Sequence, residues 1–232
     1  ANLNTVYVTN AANYANLGDE NVTITDTTSA ANVNAILGAT SGIVTATVTA
    51  DTAANLNAAL TNATGTDALT LTINSTSTSS ANLISLDGKT SVAVGATAIT
   101  ELTGNATNIK TALASSGITT VTNGSLAVNV NSGTASVADI NTINADSATG
   151  IVTATATETA AATLIGLTTT GTDAITVTMA AASTAAADLN TIDGKTSVTV
   201  GATAITELTG NATDVKTALA SSGITTVTNG SL

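Results

Sequence analysis

Residues 87–126 read DGKTSVAVGATAITELTGNATNIKTALASSGITTVTNGSL, and residues 193–232 read DGKTSVTVGATAITELTGNATDVKTALASSGITTVTNGSL. The second stretch begins 106 residues after the first and departs from it at three places: Ala93 becomes Thr199, Asn108 becomes Asp214 and Ile109 becomes Val215. A duplication in which even surface-type letters match means that one structural unit is laid down twice along an axis.

Outward from this repeat, a shorter phrase recurs from Asn21 onward. It opens with an alternating run: Val22–Thr25, Ile43–Thr49, Leu69–Ile73, Ile151–Thr157 and Ile175–Met179. Period-two alternation of β-branched residues predicts strands with one buried face. Next come apolar pairs three or four apart, such as Val33/Ile36, Leu56/Leu60, Leu83/Leu86, Ile140/Ile143, Leu164/Leu167 and Leu189/Ile192, which place one stripe on a short helix. Ser29, Thr52, Ser80, Thr159 and Thr184 stand at N-cap positions. Gly38, Gly65, Gly88, Gly171 and Gly194 stand where a turn or C-cap with positive φ is cheap. In the duplicated phrase, Ile109 and Leu113 form the stripe and Gly117 is the expected stop.

With residues 33, 56, 83, 109, 140, 164, 189 and 215 as markers, about eight coils follow in two sets of four. The predicted fold is a β-rich repeat solenoid, right-handed, with parallel strands and a short helix or helical turn per coil. Residues 1–20 read as the end of a preceding coil, 21–126 as the first four-coil set and 127–232 as the second, in one continuous solenoid. Val92–Val94 and Val198–Val200 are expected in a common parallel sheet, and Leu86 and Ile192 in the core. Both chain ends read as mid-repeat, so the expected partners are like repeats or subunits joined end to end.

Composition narrows the function. His, Cys, Pro, Trp and Phe are absent, and four lysines, Lys89, Lys110, Lys195 and Lys216, face fifteen carboxylates for a net charge of −11. Phosphate binding needs clustered cations, so nucleic acid is a poor partner, and an anionic membrane repels such a surface. No apolar run reaches the roughly 18 residues of a membrane span. With apolar residues at 43%, the chain can bury a core, but one of small side chains that close-pack only a thin space.

Without His or Cys, the usual nucleophilic triads are impossible. Asp87 with Glu101, and Asp193 with Glu207, could form acid/base pairs, although a repeat carries its surface acids along regardless of use. The reading is therefore not an enzyme. Calcium is the one candidate ligand, at Asp67, Asp87, Asp173 and Asp193, where stacked turns could supply oxygens; Lys89 and Lys195 would more simply pair with the neighbouring acids. Thr-x-Thr strands (Thr23/Thr25, Thr45/Thr47/Thr49, Thr70/Thr72, Thr153/Thr155, Thr176/Thr178) suggest an ice-binding ladder, broken at Val92–Val94 and Val128–Val130. Asn-x-Ser/Thr at Asn21, Asn62, Asn74, Asn105, Asn123, Asn211 and Asn229 could carry glycans.

Three stretches, Ala187–Val198 (ADLNTIDGKTSV), Ala204–Thr225 (AITELTGNATDVKTALASSGIT) and Thr149–Leu164 (TGIVTATATETAAATL), resemble the repeats of very large Thr/Ala-rich "β-strand repeat" surface proteins of bacteria, especially marine cyanobacteria. The resemblance covers nearly the whole chain. It implies a secreted, extracellular, non-enzymatic protein at the cell surface. The expected function is a structural segment of an extracellular fibre, surface layer or long adhesin, with a calcium-dependent adhesive module or an ice-binding solenoid as alternatives.

Overall fold

The computed structural model describes residues 3, 5–13, 17–120, 126–147 and 150–226. The tails of the duplicated phrase (121–125 and 227–232), Tyr14, and the candidate glycan sites Asn123 and Asn229 lie outside them. The chain divides into two compact units, Ala1–Leu102 with Thr111–Thr122, and Thr103–Lys110 with Asn123–Leu232.

The first unit opens with a π-helical turn (Thr5–Thr9) and a 3-10 turn (Ala11–Asn13). There follow β1 (Val22–Thr28), α1 (Ala30–Leu37), β2 (Val44–Val48), α2 (Ala53–Ala59), β3 (Ala68–Thr70), β4 (Ser77–Ser79), α3 (Ser80–Asp87), β5 (Val94–Gly95), β6 (Glu101–Gly104), α4 (Ala106–Ala114) and β7 (Ile118–Thr119); β6 and α4 run over the boundary between units. Alternation does what the sequence suggests: Val44, Ala46 and Val48 are buried while Thr45 and Thr47 face out. β1, β2 and β3 form a parallel sheet in that order, and β5 pairs with β7.

In the second unit lie β8 (Ala127–Val130), α5 (Val137–Ser147), β9 (Val152–Thr155), α6 (Ala161–Leu164), β10 (Ala174–Thr176), β11 (Ser183–Ala185), α7 (Ala186–Asp193), β12 (Val200–Gly201), β13 (Glu207–Thr209), α8 (Ala212–Ala220) and β14 (Ile224–Thr225). β9 stands between β8 and β10, β11 pairs with β13 and β12 with β14, all parallel. In both units the core is aliphatic: Val33, Leu56, Leu83, Leu86, Ile140, Leu164, Leu189 and Ile192 are all at most 1% exposed. The helical stripes therefore face inward as their spacing requires.

The expectation of a single β-rich, right-handed solenoid is corrected by this arrangement. The fold is mixed α/β, with several short parallel sheets and more residues in helix than in strand. Of Val92–Val94 and Val198–Val200, expected in a common sheet, only Val94 and Val200 lie in strands, and β5 and β12 belong to separate two-stranded pairs, with Ile118–Thr119 and Ile224–Thr225. The reason is local. After Val94 and Val200 the chain continues Gly-Ala-Thr-Ala, with no β-branched alternation to extend the strand and a glycine that weakens it. The main chain leaves the β5/β7 and β12/β14 ladders after two residues, with a single further parallel bridge from Gly95 to Thr72 and from Gly201 to Thr178.

Two smaller expectations are also corrected. Ser29 and Thr52 cap α1 and α2, but α3 is capped by Ser79, one residue before the expected Ser80, while Ala160 and Ala185 occupy the N-caps of α6 and α7 without a side-chain bond. Gly38, Gly88 and Gly194 end their helices at right-handed φ near −70°; each N–H still reaches the carbonyl four residues back, so no left-handed turn is required.

Candidate functional site

The four acids singled out from the sequence fall into two kinds of place. Asp67 and Asp173, each 4% exposed, sit one residue before β3 and β10 with their carboxylates turned inward. Asp67 Oδ1 accepts the N–H of Val44 (2.9 Å), at the start of the preceding strand, and Oδ2 accepts the N–H (2.9 Å) and Oγ1–H (3.0 Å) of Thr64. Asp173 repeats this with Val152 (2.9 Å) and Thr170 (2.8 and 3.3 Å). The carbonyl of Asp67 takes the Ser91 N–H and hydroxyl (2.8 and 2.9 Å), and that of Asp173 takes those of Ser197 (2.7 and 2.9 Å). Each buried acid thus joins the repeat before it to the repeat after it. Such a carboxylate is sustainable without a cation because N–H and O–H donors replace its water.

Asp87 and Asp193 close α3 and α7. Each accepts a serine hydroxyl from the following repeat, Ser115 at 2.8 Å and Ser221 at 2.7 Å. Those serines in turn accept the N–H of Gly117 and Gly223 (3.1 and 3.0 Å). A Cβ built on either glycine would collide with the carboxylate, which would have to move to make room. The supposed acid/base partners are held elsewhere: Glu101 by Ser77 and Glu207 by Ser183, both at 2.7 Å.

Neither Lys89 nor Lys195 forms an ion pair among the described residues; Lys89 Nζ donates to the Leu60 carbonyl (2.7 Å). The ion pair that does form, Lys110 with Asp139, was not singled out from sequence. Its hydrogen bond holds Asp139 below the usual aspartate range. Hydrogen bonds from the Asn55 side chain and the Thr52 N–H lower Asp51, and one from the Gly18 N–H is the first cause lowering Glu20. Among the described residues no group of three or more His, Cys, Asp or Glu side chains is placed to hold a metal ion, and no helix is long and apolar enough to cross a membrane.

Sequence reasoning missed Thr90 and Thr196. Both are buried, and each hydroxyl stands in for a ladder partner: Thr90 Oγ1 donates to the Leu69 carbonyl (2.7 Å) and accepts the Leu69 N–H (3.0 Å), as Thr196 does with Ile175 (2.7 and 2.9 Å). The signal was present as Thr-Ser two residues after the helix-ending glycines Gly38, Gly88 and Gly194. Also missed was a set of helical asparagines that bind the next repeat: the Nδ2 groups of Asn57, Asn141 and Asn190 donate to the carbonyls of Asn82, Gly166 and Asp214.

Outward threonines do align across strands, Thr23 with Thr45 and Thr27 with Thr47 and Thr70, but the rows are broken by a register shift in β1 and by Ala68, Asn129 and Ala174. Among the candidate glycan sites, Asn62, Asn74 and Asn211 already donate through Nδ2 to a protein oxygen. Between α7 and α8 an open groove of about 760 Å³ is lined by Asn190, Asp193, Lys216 and Ser221 among others. Asn190 Oδ1 is buried there without a partner, but so is Asn57 Oδ1 in the first unit, so the trait belongs to the repeat's asparagine. No family model, curated protein or solved structure matches this chain.

Proposed function

We propose that this chain is a non-catalytic structural segment of an extracellular fibre, surface layer or long adhesin of the Thr/Ala-rich bacterial surface type. The observation that supports this reading is the engagement of its duplicated acids: Asp67 and Asp173 bind backbone of the neighbouring repeats, and Asp87 and Asp193 bind serines that brace the next one. Groups arranged in this way hold repeats in register, and both carboxylate oxygens of Asp67 and Asp173, with Oδ2 of Asp87 and Asp193, are taken by donors that a calcium ion or a reacting proton would have to displace.

The test has two arms. Melting temperatures in chelator and in millimolar calcium are expected to coincide; a rise in calcium that vanishes when Asp67 and Asp173 become Asn overturns the reading in favour of a calcium-dependent adhesive module. Labelling of intact producing cells with an antibody to this segment is expected to mark the outer surface, and label that appears only after permeabilisation overturns the surface assignment.

A further inference from the structure

Residues 180–188 (AAASTAAAD) stand where the first unit has residues 74–82 (NSTSTSSAN), 106 positions earlier. In the first unit polar side chains close this stretch. Asn74 Nδ2 donates to the Ala50 carbonyl, and Ser79 Oγ accepts the Asn82 N–H at the start of α3, both at 3.2 Å. In the second unit both residues are alanine, Ala180 and Ala185, Thr76 is replaced by Ala182, and α7 starts without a side-chain cap. At Asn82 the change goes the other way, to the charged Asp188.

At this place the second unit has a partly enclosed cavity of about 290 Å³, at the lower end of the range for small-molecule sites. Its walls are mostly methyl groups, from Ala160–Ala162 at the start of α6, from Ala180 and Ala185 ahead of α7, and from the buried Met179. Asp188 lines it too, half-buried, and among the described residues its carboxylate has neither an ion pair nor a hydrogen bond. Thr184 also lines it, 4% exposed, and among the described residues its hydroxyl has no hydrogen-bond partner. An acid in a first turn suits the helix dipole, but the dipole does not require a methyl-walled space beside that acid.

The chemistry of this lining selects its guest. An anion would meet Asp188 and the field of a chain with a net charge of −11, which draws cations. A calcium ion takes six to eight oxygens, more than one carboxylate and one hydroxyl supply. An uncharged apolar guest would cover Asp188 and leave it unpaired, at a cost in desolvation. A cation on an aliphatic stem satisfies both parts, with its methylenes on the alanines and its N–H donors on the acid.

We propose that this cavity binds a primary alkylammonium group, with Asp188 as its counter-ion and the Thr184 hydroxyl as a second acceptor. The group is either a free amine or the side chain of a lysine, since both present the same four-carbon stem and ammonium.

Titration of the full, ¹⁵N-labelled chain with n-butylammonium at constant ionic strength, followed by amide NMR, tests this. Shifts at residues 160–162 and 184–188 are expected to saturate in the millimolar range, and butyrate should leave them unmoved. Asp188→Asn puts back the residue that α3 carries and should weaken binding about 10-fold or more, the weight of a hydrogen bond to a charged group. Thr184→Val, close in shape, should weaken it about 2- to 10-fold. Ala180→Asn with Ala182→Thr puts back two first-unit side chains, narrows the cavity and should abolish saturation, with unchanged circular dichroism as the check on folding. Nα-acetyl-lysinamide separates the two sources: weaker binding than butylammonium assigns the site to free amines, equal or tighter binding to a lysine side chain. Binding that survives Asp188→Asn unchanged, butyrate that matches butylammonium, or shifts that climb linearly without saturating each overturn the proposal.

Discussion

At the scale of single residues, what is unusual is the work done by small polar side chains in the interior. Asp67 is an aspartate without an ion pair among the described residues, held by the N–H groups of Val44 and Thr64 and by a hydroxyl. Asp67→Ala removes the acceptor from both N–H groups, and each unsatisfied buried donor costs about 1–3 kcal/mol. The expected loss is about 2–4 kcal/mol in a urea melt, with Asp173→Ala costing a similar amount. Asp67→Asn keeps the shape and one carbonyl acceptor and should lose clearly less than the alanine variant. Equal losses would mean that volume, and not the acceptors, is what the site supplies.

At the scale of elements, the repeat is built so that a helix end and the following loop lock together. α7 ends in Asp193, whose carboxylate fills the space where a side chain on Gly223 would stand. Gly223→Ala must push that carboxylate off Ser221, and a loss of about 1–3 kcal/mol is expected. In an Asp193→Ala background most of this loss should disappear, because the colliding group is gone; the double-mutant cycle measured by denaturant unfolding reads the coupling directly. Strictly additive losses would show that the glycine is required for some other reason. Gly117 with Asp87 is the same device in the first unit, and the same coupling is expected there.

For the whole molecule, fifteen carboxylates against four lysines set the response to pH. Asp139, Asp51 and Glu20 are held below their ordinary values in the folded chain by hydrogen bonds that favour the charged form. A carboxylate with a depressed folded pKa contributes stability that is complete above its unfolded value and is lost as the pH falls through the folded one. In high salt, which screens the mutual repulsion of the acids, the melting temperature should hold level down to about pH 4 and fall below it. Replacing Lys110 by Met removes the hydrogen bond that does most to hold Asp139 ionised and should shrink that fall. A melting temperature that rises on acidification below this range would show that relief of repulsion outweighs all three bonds.

The sequence by itself determined the duplication, the neighbourhood of each helix from α1 to α8, and most of the apolar residues that face inward, though not the buried Thr90 and Thr196 or the half-exposed Leu113, beside which Ala112 is buried. These follow from local periodicity: Val33, Leu83 and Ile192 are buried because a 3.6-residue turn leaves them on one stripe, and Thr45 and Thr47 are exposed because a strand alternates. Composition also marked the interior as small and aliphatic. Only the tertiary structure decided which strands share a sheet, that Ser79 caps α3 in place of Ser80, and that the acids brace repeats. Each of those outcomes depends on where the chain's polar groups find partners, often some 20 or more residues away, as Val44 does at Asp67 and Leu69 at Thr90. Alternation shows that a strand will form, but not where its ladder stops. At Gly95 and Gly201 the two-residue ladders with β7 and β14 stop, and short sheets of this kind between helices make the fold mixed α/β.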